Sequence, residues 1–197
     1  MKRMIKIFAG ILIISTAIWG YSNLLEYIYE LTFISNVICG ILLLSDGLIN
    51  ISERNKIPSF IYQMVLLCTS VVFCTCVVSL FGEHKFNFSG AFFFLHIINP
   101  LAFLAIYLTC VELKIENKSD YTKQAFFAPV MIMCYLLFDY IRFIMTGNLV
   151  YGLISKERLT LNTAVIIGVG FYLLMVFMSY GLIKLNARMQ KKMTRIS

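Results

Sequence analysis

Charge is scarce in this chain. Asp, Glu, Lys and Arg make up 14% of its 197 residues, hydrophobic residues make up 60%, and the mean hydropathy is +0.84. A soluble domain of this size carries about 25% charged residues. The deficit is spread along the whole length, which excludes a soluble domain with one anchor. It leaves a single integral membrane domain over residues 1–197.

Other absences narrow the reading. None of the six cysteines (Cys39, Cys68, Cys74, Cys76, Cys110, Cys134) lies in a polar loop, so no disulfide framework is indicated. Cys74 and Cys76 are two apart on a helix, point to different faces and make a poor metal pair. No small-x-small cleavage site follows the basic start at Lys2, Arg3 and Lys6, so the first apolar run reads as a span rather than a removed signal. There is no Gly/Ser linker, low-complexity tract or internal repeat, and no Gly-x-x-x-Gly pair to mark a dimerisation face. Of the two histidines, His84 sits in a polar loop beside Glu83 and Lys85 and reads as solvated. His96 has no second His or Glu beside it, which is too few ligands for a metal; neither a metal nor a cofactor is expected. The net charge of +7 does not indicate nucleic acid, because the basic residues stand between apolar segments and not on one face of a folded domain.

What is present is a series of apolar stretches near the length of about 20 residues that a spanning helix needs. They cover residues 5–22, 32–51, 59–81, 91–111, 125–145 and 161–183, with polar breaks at 23–30, 52–58, 82–90, 112–124 and 147–160. These runs are too long for barrel strands, and open sheets do not sit in lipid. The expected fold is therefore an all-α membrane protein of six transmembrane helices. Thirteen of the seventeen Lys and Arg flank one side of that arrangement. Lys85, Lys156 and Arg158 flank the other, and Arg142 lies within a span. The positive-inside rule then places both termini in the cytoplasm.

Three spans carry polar residues at helical spacing. In the second, Thr32, Asn36, Cys39, Leu43, Asp46 and Asn50 share one face, which must look into the bundle. Asp46 has no obvious charged partner there, and a structural or water-linked role with Asn50 is expected. In the fourth, His96 and Asn99 share a face with Phe92 and Phe103, and Pro100 is expected to kink the helix and free a carbonyl. In the fifth, Tyr135, Asp139, Arg142 and Thr146 form a stripe. Counted by helical rise from the outer ends of their spans, Thr32, Asn36, His96, Asp139 and Arg142 fall in one layer in the outer half of the membrane. Each residue alone has a plainer reading. Asp139 and Arg142 suit a structural i,i+3 ion pair, Asn36 and Asn99 interhelical hydrogen bonds, and Thr32 a bond to its own backbone. Packing alone does not require Thr, Asn, His, Asp and Arg from three helices at one depth, and that convergence is the functional signal.

Leu31-Thr-Phe-Ile-Ser-Asn-Val-Ile resembles the Thr-Phe-x-(Ser)-Asn segment of the androgen-induced and androgen-dependent six-helix membrane hydrolases and their bacterial relatives. Leu95-His-Ile-Ile-Asn-Pro-Leu resembles their His-x-x-x-Pro segment. Pro129, Tyr135-Leu-Leu-Phe-Asp-Tyr-Ile-Arg142 and Val150-Tyr-Gly-Leu are similar to a Pro…Tyr…Arg…Tyr pattern in the bacterial branch. The chain departs from that branch at Ile97, where an aromatic is usual, and in lacking a Pro-rich Tyr-Pro run after the fifth helix. The resemblance implies hydrolysis of fatty acid esters of hydroxy fatty acids, with Thr32 as nucleophile and His96 as base. It also implies a bacterial cytoplasmic membrane and a lipid or fatty-acyl ester partner.

A Thr hydroxyl is a weak nucleophile until a base takes its proton, and a neutral imidazole can do that. Asp139 is the expected orienter of the ring. Arg142, Asn36 or Asn99 are the expected oxyanion donors, with Tyr135 in a supporting or substrate-binding role. Arg142 could instead clamp an anionic group. The rival expectations are an acyltransferase on the same site, a non-enzymatic binder or transporter of a small amphiphile, and a structural membrane subunit. Oligomeric state leaves no trace in the sequence.

Overall fold

In lipid a backbone must satisfy its own N–H and C=O groups, so apolar runs of this length become helices. The computed structural model describes residues 1–49, 57–80, 90–113, 118–150 and 159–193. These residues are all-α, with six segments long and apolar enough to cross a membrane. We label them α1 (Lys2–Tyr21), α2 (Leu31–Ile49), α3 (Ser59–Leu80), α4 (Ala91–Cys110), α5 and α6 (Leu161–Met193). Helix α5 is in two pieces, Lys118–Phe127 and Val130–Thr146. Pro129, which has no N–H to donate, occupies the joint, and its carbonyl accepts the Met133 N–H at 2.9 Å. The second piece ends at Gly147, whose left-handed backbone (φ 75°) lets its N–H reach the Phe143 carbonyl at 2.7 Å.

Two bounds differ from the hydropathy reading. The break expected at 112–124 is helical from Lys118, because a polar first piece leaves no hydropathy signal. The last helix runs ten residues past 183 to Met193. Its extension is held by side chains that hydropathy discounts. Asn186 Nδ2 donates to the carbonyls of Tyr107 (2.5 Å) and Val111 (3.1 Å), and Gln190 Nε2 donates to Leu108 (3.0 Å) and Val111 (3.2 Å). Tyr107 and Leu108 lie in the last turn of α4, where carbonyls run out of intrahelical donors, and Val111 follows its end.

Helix α1 lies along α2 at close range. A Cβ on Gly10 would meet the Gly40 carbonyl oxygen at 2.9 Å, and one on Gly40 would meet the Gly10 oxygen at 3.0 Å. The two glycines thus work across the interface, not four apart on one helix. One apolar core joins α1 to α4 through Ile13, Leu43, Leu66, Phe103 and Tyr107, with Tyr62 stacked on Phe103. A second joins α2, α3, α5 and α6 through Leu31, Cys68, Ile132 and Met175. Much of α6 is exposed and apolar (Ile166, Val169, Leu174, Phe177), as a lipid-facing helix is.

Contacts fix which ends lie together. Lys2 faces Glu112 at 3.9 Å, Arg3 Nε donates to the Gly47 carbonyl at 2.7 Å, and Gln190 bonds to α4. Residues near both chain termini therefore share one end of the bundle, here the terminal end. The expectation that Asp46 lacks a charged partner is corrected there, while a structural role fits. Asp46 is ion-paired with Lys6, and both side chains are buried. Tyr62 donates to the same carboxylate oxygen at 2.6 Å. By position Lys6 reads as a flanking charge. It lies more than a turn inside α1 and reaches inward. Asn50 and His84 lie outside the described residues.

Candidate functional site

At the opposite, distal end, α2 begins. The Leu31 N–H, an orphan donor of the first turn, donates to the Tyr135 hydroxyl at 3.0 Å. Thr32 follows in the same turn and is 1% exposed. Its Oγ1 lies 3.3 Å from His96 Nε2, across from α4. The other ring nitrogen, Nδ1, lies 2.9 Å from the Phe92 carbonyl oxygen. A carbonyl only accepts, so Nδ1 carries the proton. In the neutral ring Nε2 then presents a lone pair to the Thr32 hydroxyl. The Phe92 ring stacks on the imidazole at 6.0 Å between centroids and helps hold its plane. The expected orienter, Asp139, does not take that part. The imidazole folds back onto its own helix and uses a backbone carbonyl instead.

The fold-back coincides with a local slip in α4. Residues Phe94–Ile98 form a π turn, in which the Asn99 N–H donates to the Phe94 carbonyl five residues back. In a regular helix that N–H would serve Leu95. The next N–H along is missing, because residue 100 is proline. The Leu95 carbonyl is instead met from outside by Asn36 Nδ2 at 3.2 Å. The same amide nitrogen donates to the Thr32 carbonyl at 2.7 Å. Asn36 therefore ties the residue before His96 to the backbone of Thr32. Behind it, Asn99 Nδ2 donates to Asn36 Oδ1 (2.8 Å) and Thr16 Oγ1 (3.0 Å), and Thr16 donates to the Ile13 carbonyl at 2.9 Å. All of these side chains are buried.

Thr32 and His96 open onto an apolar pocket of about 290 Å³ between α2, α3, α4, the second piece of α5, and α6. Tyr135 and Asp139 line it too; Asn36, Asn99 and Arg142 do not. The amide nitrogens of Asn36 and Asn99 face the helix packing, not the pocket. Asp139 Oδ1 accepts the Val150 N–H at 2.9 Å, which pins the chain after α5 against the pocket. Among the described residues Asp139 makes no ion pair with Arg142. The guanidinium turns outward. It donates to the Tyr29 hydroxyl at 2.9 Å, stacks over the Tyr29 ring at 4.2 Å, and reaches the Asn148 carbonyl at 3.4 Å. Thr146 is exposed and bonds the Arg142 carbonyl of its own helix at 2.9 Å. The stripe spacing placed all four side chains on one face, but partners in the flanking loops rotate its outer two away.

Sequence reasoning missed Thr16, Tyr29, the Phe92 carbonyl and the π turn. A Thr one helix away and a loop tyrosine have no periodic signature. The combination of Pro100 with Asn99 was the one clue to a slipped hydrogen-bond register. Comparison with known proteins gives no match to a family model, a curated protein or a solved structure.

Proposed function

We propose that this chain is a membrane-embedded lipid-ester hydrolase in which Thr32 is the nucleophile and His96 the base. The observation that carries the reading is the contact of 3.3 Å between Thr32 Oγ1 and a His96 nitrogen whose opposite partner sets the tautomer, at the wall of an apolar pocket. Thr32 Oγ1 attacks the ester carbonyl as its proton passes to His96 Nε2. The C–O bond to the alcohol breaks and the alcohol leaves with that proton. Water, deprotonated by the same nitrogen, then splits the Thr-acyl ester; the proton passes on to Thr32 Oγ1 as its bond to the acyl carbon breaks, and the acid is freed. The developing oxyanion lies at the positive end of α2, with Tyr135 as the side-chain donor beside it. The resemblance of the segments around Thr32 and His96 to the androgen-induced hydrolases supports the same roles. The excess of basic residues at the terminal end supports a cytoplasmic position for that end and a site in the outer half of the membrane.

The test is release of fatty acid from fluorogenic acyl esters by the purified full chain in micelles, with mass spectrometry of Thr32. Release, an acyl adduct on Thr32 and loss of both in His96→Ala support the reading. No release and no labelling of Thr32 by a hydrolase-directed probe sinks it. One observation favours a second reading, an amphiphile binder without turnover: the amide and guanidinium donors of Asn36, Asn99 and Arg142 all face away from the pocket. Thermal stabilisation by an acyl ester that persists in Thr32→Ala, with no product from the wild type, selects it.

A further inference from the structure

Among the described residues, the pocket wall carries one carboxylate and no Lys or Arg side chain. Asp139 faces the pocket with its Oδ1 held by the Val150 N–H. Arg142, one turn along the same helix, still acts on Asp139 through space, but its hydrogen bonds go to the Tyr29 hydroxyl and the Asn148 carbonyl and its guanidinium lies over the Tyr29 ring. The other polar side chains that line the pocket among the described residues are Thr32, Thr75, His96, Tyr135 and Tyr140. A carboxylate in an apolar wall attracts hydrogen-bond donors. It repels anions more strongly than it would in water, because the local dielectric is low.

We propose that Asp139 selects the alcohol side of the ligand: an uncharged acyl ester bearing a free hydroxyl, of the monoacylglycerol kind, with esters bearing a carboxylate excluded. The inference uses the pocket of the hydrolase reading, but it concerns recognition and can be read without turnover. The ester carbonyl sits at Thr32 and His96, the acyl chain lies along the apolar wall, and the free hydroxyl donates to the Asp139 carboxylate. The preference runs against the hydroxy-fatty-acid esters that the family resemblance suggested, since those carry a free carboxylate.

The experiment measures binding to the full-length Thr32→Ala protein in nanodiscs of neutral lipid. The three probes share an acyl chain: 1-decanoylglycerol, methyl decanoate, and the decanoyl ester of glycolic acid as its carboxylate. The glycerol ester is expected to bind about tenfold tighter than the other two. Asp139→Asn keeps an acceptor for the hydroxyl and removes the charge, so the carboxylate ester should gain about tenfold while the glycerol ester holds. Asp139→Leu should erase the preference for glycerol over methyl. Circular dichroism and the elution profile of each variant establish that it is folded. Equal binding of the carboxylate and glycerol esters overturns the proposal, as does a preference unchanged in Asp139→Asn or no binding of any probe. Selective binding with no hydrolysis by the wild type leaves this assignment standing and removes the enzymatic reading instead.

Discussion

The two ends of the bundle bury comparable polar side chains and use them differently. At the terminal end, Lys6, Asp46 and Tyr62 satisfy one another, and none of them lines the pocket at the distal end. At the distal end, Asn36, Asn99 and Thr16 form a connected network of the same kind, yet Thr32 and His96 stand at its edge against open space. An ionisable group in a membrane span is costly wherever it lies. Burial therefore does not separate a fastener from a site. What separates them is whether the polar atoms are consumed by the fold or turned toward a volume that another molecule can enter.

The largest effect should come from the distal pair. Thr32→Ala and His96→Ala are each expected to lower ester hydrolysis by about 10³-fold or more, and the double variant little further, because residues that act as a unit are not additive. Their unfolding transitions in micelles should stay near that of the wild type. A loss of stability in Thr32→Ala as large as any at the terminal end would reduce the distal pair to a second fastener.

Next in size is Asp46→Ala. It leaves Lys6 buried without a counter-charge and should lower stability by about 3–5 kcal/mol, measured by denaturant unfolding in micelles. Combining Lys6→Met with Asp46→Asn, which retains an acceptor for Tyr62, should recover most of that. Activity per folded molecule should be unchanged in both. Activity that falls while stability is restored would make the terminal end part of the function.

Asn36→Ala falls between the two ends. It removes the outside donor from the Leu95 carbonyl, which the π turn and Pro100 leave without one, at a cost of about 1–3 kcal/mol. It also loosens the link between Thr32 and the turn that carries His96, so turnover should drop about tenfold even in the folded fraction. A drop in stability alone would show that the network positions nothing.

The contrast also explains how much was legible beforehand. Six spans follow from hydropathy, and the inward faces of α2 and α4 follow from spacing, because a helix in lipid must turn its polar residues toward its neighbours. Thr32 and His96 were brought to one depth by counting rise along two helices. Other features depend on contacts that no spacing encodes. By position Lys6 reads as a flanking charge, and only its ion pair with Asp46 shows that it points inward. Arg142 shares a stripe with Asp139 but follows Tyr29, and the π turn changes hydrogen bonds without changing which residues are apolar.

The smallest expected effect concerns the loop at the distal end. Glu30 precedes α2, is half-buried, and accepts the Tyr21 hydroxyl at 2.5 Å. Burial raises its carboxyl above the ordinary 4.5, with the Tyr21 bond pulling the other way. A folded-state value above the unfolded one favours the protonated form in the folded protein. Its contribution to stability is therefore complete below about 4.5 and is lost as pH rises through the raised folded value. Glu30→Gln keeps an acceptor for Tyr21 and cannot titrate. Its melting temperature relative to the wild type should rise between about pH 4 and pH 7, by a few degrees at most. The opposite slope would mean that the carboxylate is held by positive charge in the fold. The distal loop would then be fastened by charge as Asp46 is, and the distinction between the two ends would be confined to Thr32, His96 and the pocket they face.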